Sequence, residues 1–486
     1  MNVFLDEPLP LVPMPFEDAL RKGLGRAAQF VRELPQQVVR ENLLPACLES
    51  WVYDAQCEPA RVPWLFRLIE LSGEPEFYRK PILEALEITP KSVEAVNWSW
   101  WDGYQLVELA VHFAKQGDAE ARDAVYRKYD MAMQIDGWGY NDMLIEMDGM
   151  PGLLCTLEKQ ADGLCDEENE TAKVDSHDCL VYLTTLEENM GKEQARAAVQ
   201  KEAEVNPLVQ TFLERALSKE KSYDVPERDD AYYEAAAERR RCEFREQSPF
   251  YEMVSLIPEI AQKEVKETDN WFIALSPSMR YGGLGLYAEP DELEHVFDKF
   301  MKTDHPKEQF VYLRIFGRVP LPRIESKVLS LLASANHNMR FVATQALSNS
   351  SDNQIREKAF AMLTTRPRVA DWHFGFDLLE KNCTAEDIPL LEHIISEGGF
   401  RDDYILHSVG ISLRTIIENQ PHPDWKNILL WLYEVDPCSY CRNNFVDQLV
   451  ENGVASRILL EECLEDASED TRDTAQKALA EGKFVS

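Results

Sequence analysis

Asn338-Met-Arg340-Phe-Val-Ala-Thr-Gln-Ala-Leu347 is followed almost at once by Asp352-Asn-Gln-Ile-Arg356-Glu-Lys-Ala-Phe360. Each stretch opens on a polar residue able to cap a helix, sets an Arg soon after it, and continues with Ala or Leu one turn on. Small residues on the apolar stripe let a neighbouring helix come close. The pattern recurs at Asp118-Ala-Glu-Ala-Arg122-Asp-Ala-Val-Tyr126 and at Glu469-Asp-Thr-Arg472-Asp-Thr-Ala-Gln-Lys-Ala478, and more weakly at Glu74-Pro-Glu-Phe-Tyr-Arg79-Lys-Pro-Ile-Leu83. Arg79 and Arg122 stand about 40 residues apart, the period of a two-helix repeat. The fold expected is all-α: an α-solenoid of helical hairpins, arranged in two lobes.

Working outward, Val62 to Leu71, Trp101 to Lys115, Leu293 to Met301 and Trp425 to Tyr433 carry apolar residues at helical spacing. Thr89-Pro90, Asn206-Pro207, Ser248-Pro249 and Asp436-Pro437 each pair a capping side chain with a Pro suited to the first helical position. Thr384-Ala-Glu-Asp387 reads as a capping box with Asp in place of Glu. Strand-like alternation is almost absent. Asp166-Glu-Glu-Asn-Glu170 reads as a solvated loop, and residues 208–265 as longer, more charged helices. Ser276-Pro-Ser-Met-Arg-Tyr-Gly-Gly-Leu-Gly-Leu286 reads as a turn; without Lys-Ser/Thr after its glycines it is no phosphate loop. The divisions expected are an N-terminal repeat lobe over 1-205, connecting helices over 206-270 and a C-terminal repeat lobe over 271-486.

The cap, the Arg and the small residues resemble the second helix of HEAT repeats, best between Glu289 and Arg366 and again near the C-terminus. With its Trp-rich N-terminal part and its Asp-Pro-Cys-Ser-Tyr-Cys segment, the chain is similar to large, acidic bacterial HEAT-repeat proteins, most of which have no assigned function. The resemblance implies a fold over about two thirds of the chain and transfers no catalytic residue. HEAT-type iron-dependent hydroxylases need His-Glu dipeptides, whereas this chain has Glu294-His295 and Glu392-His393 in the reverse order. HEAT-like DNA glycosylases need a positive groove, and Arg239-Arg240-Arg241 is short and flanked by Glu238, Glu243 and Glu246. No motif of the HEAT-like bilin lyases is present.

The 486 residues include 51 Lys+Arg against 86 Asp+Glu, a formal net charge of −35. That excess of acid speaks against nucleic acid and anionic membrane surfaces, both of which need Lys and Arg to neutralise phosphate. No stretch reads as a transmembrane segment or a secretion signal, and ten Cys are too dilute for a disulfide framework. A cytoplasmic protein with reduced thiols is expected. A basic protein partner fits the charge.

Two local features are candidates for function. The first is Trp98-Ser99-Trp100-Trp101-Asp102-Gly103-Tyr104, with Trp138-Gly-Tyr140 one helix pair later and Asp136, Asp142 and Glu146 beside it. Trp100, Trp101, Asp102, Tyr104, Trp138, Tyr140 and Asp142 together could hold a basic or proline-rich segment by stacking, cation–π contact and ion pairing. The alternative is core packing between adjacent repeats, with Asp102 and Asp148 as helix caps. The second feature is Cys438 and Cys441. Asp436 as cap and Pro437 as first helical residue would put both thiols on one face of a first turn, where the helix dipole favours thiolate. Small thiols packed between helices are the plain alternative, and a zinc site lacks two ligands, Cys463 and His422 being the only near ones in sequence. The expectation is therefore a non-enzymatic scaffold with no cofactor and no metal, or else a redox-sensitive or metal-bearing protein centred on the Cys pair.

Overall fold

The computed structural model describes residues 14–54, 57–58, 61–87, 100–135, 141–161, 164, 174–223, 230–266, 268–275, 278–365, 371–398 and 402–485. The described elements are helices throughout, and the only β pairing among the described residues is a single bridge between Ser456 and Val485. No described helix is long and apolar enough to cross a membrane. The chain divides into two compact units. One comprises 1–227 with 438–440 and 461–476, the other 228–437 with 441–460 and 477–486. Asp166–Glu170 and Thr89-Pro90 lie outside the described residues.

In the first unit, α1 (Pro75–Glu87), α2 (Trp100–Lys115), α3 (Ala119–Ile135), α4 (Asn141–Asp148), α5 (Met150–Lys159), α6 (Ser176–Met190) and α7 (Pro207–Tyr223) follow one another. Each packs on the next or the next but one: α1 on α2, α2 on α3 and α4, α4 on α5 and α6, and α6 on α7. Ile145, Leu153, Leu157, Cys179, Leu183, Leu186, Val199 and Phe212 form a continuous buried cluster across four of these helices and the intervening Lys192–Ala203 helix. A short amphipathic helix cannot bury its stripe alone, so each neighbour completes the core of the last.

The second unit repeats the scheme. Its helices α8 (Ser278–Leu286), α9 (Pro306–Ile315), α10 (His337–Ser348), α12 (His373–Leu379) and α13 (Asp403–Asn419) form a ladder in which each touches the next, with α11 (Asn353–Thr365) packed on α12. The core contains Tyr281, Phe297, Phe300, Phe310 and Phe316, all fully buried.

The recurring Arg has a defined job. In α10, Arg340 Nη1 donates to the carbonyls of Ser334 and Ala335, both at 2.9 Å, and its Nε meets Asp371 Oδ2 at 2.5 Å, just before α12. In the first unit, Arg472 Nη1 donates to the carbonyls of Asp466 and Ala467, at 2.8 and 3.0 Å, in the same register. Arg356 pairs with Asp387, Arg79 with Asp118, and Arg122 with Asp148 at 2.9 Å. Asp118 also accepts from Ala121 N at the start of α3, and the Arg79 guanidinium holds its carboxyl below the usual carboxylate range. Asp387 accepts from Thr384 N in the expected capping box. One carboxylate thus closes a turn and receives an Arg from an earlier helix.

Two expectations are corrected. The glycine-rich stretch is largely helical, because Gly282, Gly283 and Gly285 belong to α8. A Cβ at Gly285 would lie 1.8 Å from the carbonyl oxygen of Ile315, so the close crossing of α8 and α9 requires glycine. That contact overrides the roughly 1 kcal/mol that glycine costs a helix. At Ser248-Pro249, the helix begins at Phe250 with Pro249 in the cap position.

Candidate functional site

The described part of the aromatic and acidic patch is built from α2 and α4. Trp100 and Trp101 open α2, and their side chains, like Trp138 and Tyr140, lie outside the described residues. Tyr104, Glu108, His112 and Lys115 succeed one another at helical spacing along α2, which packs on α4. Tyr104 Oη donates to Asp142 Oδ2 at 2.7 Å, and Lys115 Nζ to Glu146 Oε1 at 3.0 Å. Glu108 sits among them. Burial, reinforced by the charges of Glu146 and Asp142, pushes its carboxyl up to about 8, so it is largely protonated at neutral pH. His112 stacks on Phe66 with ring centroids 4.8 Å apart, and burial lowers its affinity for a proton.

Neither expected cap is one. Asp102 is the third residue of α2 and accepts the backbone N–H of Ser50 at 2.6 Å, tying an earlier segment to this helix. Asp148 ends α4, where Tyr126 Oη donates to it at 2.7 Å, while Gly149 precedes α5. The structure therefore brings Tyr104 and Asp142 together and assigns Asp102 to a different contact.

The Cys pair lies at the start of the Ser439–Glu451 helix. Because the helix opens at Ser439, Cys438 stands in the cap position and Cys441 in the first turn, two residues later than Asp436-Pro437 implied. Both thiols are buried and outside any disulfide. His407 of α13 supplies a ring nitrogen within 4.8 Å of the Cys441 sulfur. His407 Nδ1 is also 3.4 Å from Oδ1 of the fully buried Asp436, the kind of carboxylate that orients a metal-binding imidazole. A thiolate and an imidazole are soft donors suited to zinc.

No model of a known protein family matches the chain, and no curated protein does. Function must then be read from these side chains. His407 and Glu108 were both invisible to motif reading. His407 belongs to another helix, beyond the stretch of sequence that flanks the Cys pair, and Glu108 is one acid in an acidic chain until its neighbours across α4 are known.

Proposed function

We propose that the chain is a HEAT-type helical-repeat scaffold, working in the cytoplasm and holding a protein partner that presents basic residues. The observation that supports it is the Arg tie repeated along both units, in which guanidinium groups are spent on internal turns and carboxylates. Basic residues used in this way leave the acid surplus to the surface. At the α2 and α4 face the surplus is concentrated enough to help keep Glu108 protonated, so an incoming Lys or Arg would be met by Asp142, Glu146 and a Glu108 ready to ionise. Tyr104, at the start of α2, adds an aromatic ring beside it.

The test uses a lysine- and arginine-rich peptide followed by fluorescence anisotropy. Asp142→Asn keeps the acceptor for Tyr104 and removes one charge, and Glu146→Gln does the same for Lys115. Together they should weaken binding at least fivefold at 50 mM salt with an unchanged melting temperature, while Asp304→Asn on the exposed surface leaves it unaltered. Equal affinity in all variants would remove this face from the proposal.

A second reading is supported by His407 and Cys441, neighbouring soft donors for a zinc ion with Asp436 orienting the imidazole. Protein purified without chelator should carry about one zinc per chain, lost in Cys441→Ser. Metal-free protein with unreactive thiols would end it.

A further inference from the structure

Arg314, near the end of α9, departs from the Arg ties described above. It is partly buried, and among the described residues no carboxylate comes within ion-pairing distance of it. Its Nη1 donates to Gln345 Oε1 at 3.1 Å and its guanidinium lies 4.5 Å from the centre of the Phe272 ring. Its Nε is buried with no acceptor. Burial, together with the charge of Arg318, makes the protonated form harder to hold. A guanidinium does not resolve this by losing its proton in water, as a carboxyl does by gaining one.

The guanidinium opens on a groove of about 760 Å³. Its walls include the Thr268–Asn270 turn, the Phe272 and Phe341 rings, and the first residues of α10, His337 and Asn338. α10 is a 12-residue helix capped by the Asn336 side chain, which accepts only from Met339 N in the first turn. The N–H groups of His337 and Asn338 are left at the positive end of the helix dipole. Of the acids nearby, Asp269 lines the groove with its Oδ2 accepting from Lys266 N, and Asp371 is held by Arg340 and His337.

We propose that this groove is a binding site for a small oxyanion carried on a flat apolar body, an aromatic carboxylate or phosphate monoester, held by the Arg314 fork and the α10 N-terminus with its body against Phe272 and Phe341. A planar guanidinium matches a carboxylate or phosphate with two parallel hydrogen bonds, and the aromatic walls add area without adding charge. The site is separate from the acidic face of the first unit and selects the opposite charge.

Calorimetric titration of the full chain with phenyl phosphate, benzoate and inorganic phosphate tests it. Phenyl phosphate or benzoate should bind saturably and more tightly than inorganic phosphate, and the tighter of the two identifies the oxyanion. Arg314→Met should weaken that binding at least tenfold and Arg314→Lys by less, while Arg323→Gln, whose guanidinium engages Glu294 and Asp298 on the surface, leaves it unchanged. Absence of saturable binding, or equal affinity in Arg314→Met, overturns the site. Should Arg314→Met fail to fold, phenylglyoxal labelling of the unaltered protein decides. Phenyl phosphate should slow modification of Arg314 at least fivefold, and an unchanged rate overturns the proposal.

Discussion

Glu108 and Arg314 stand in two units and face the same problem with opposite signs. Each is a partly buried ionisable group with no ion-pair partner among the described residues. Glu108 meets it by taking up a proton, since burial and the charges of Glu146 and Asp142 raise its carboxyl to about 8. Arg314 keeps its charge, leaning on Gln345 and the face of Phe272. Net charge is therefore a poor guide to local character, because a chain of −35 contains a groove whose dominant feature is an uncompensated cation.

Arg340 makes the contrast measurable, since it is a buried arginine with a carboxylate beside it. Asp371→Ala would turn it into a second Arg314. Stranding a guanidinium that is only 8% exposed should cost about 3–5 kcal/mol in urea unfolding. A loss below 1 kcal/mol would mean that unpaired arginines are easily tolerated here and that Arg314 is unexceptional.

Glu108→Gln addresses the other side. A carboxyl whose folded value lies above its unfolded value of 4.5 binds more protons in the folded state, so its stabilising contribution is intact below 4.5 and is lost as pH rises through about 8. The variant lacks this loss. It should match the parent near pH 4.5 and exceed it at pH 9 by on the order of 2–3 kcal/mol, after allowance for residual solvent. Parallel curves from pH 5 to 9 would place Glu108 among ordinary exposed acids.

Arg314→Met should have a smaller effect without ligand: stability within about 1 kcal/mol of the parent, or higher, because it removes a partly buried charge that no described carboxylate approaches within ion-pairing distance. A loss as large as that of Asp371→Ala would show that a carboxylate pairs with Arg314 in solution. The smallest effect belongs to an exposed pair such as Lys80 and Glu84, 3.7 Å apart, where Glu84→Gln should change stability by less than about 0.5 kcal/mol.

Much of the fold was legible. Val62–Leu71 is a helix with the bounds its periodicity gives, Asp230–Gln247 is the long polar helix expected, and Thr384 with Asp387 forms its capping box. The Arg in the repeated pattern was visible, while its acceptor was not, because Asp118 and Asp387 look like caps and nothing local shows that they serve twice. Gly282 to Gly285 misled because at Gly285 the glycine serves the close passage of the Ile315 carbonyl rather than a turn. The candidate sites were less legible. Tyr104 and Asp142 were both named, yet their mutual hydrogen bond depends on the packing of α2 against α4. His407 and Arg314 gave no signal, since what distinguishes each is the company it keeps on other helices.

The double use of Asp118 and Asp387 also sets rules for taking the molecule apart. Cutting the chain between Arg79 and Asp118, or between Arg356 and Asp387, would leave a bare guanidinium on one fragment and a poorly capped turn on the other. A hairpin can be excised, duplicated or grafted cleanly only if the break falls after an acceptor and before the next arginine. The spacing of these ties, more than the boundaries of the helices, marks where this protein is modular.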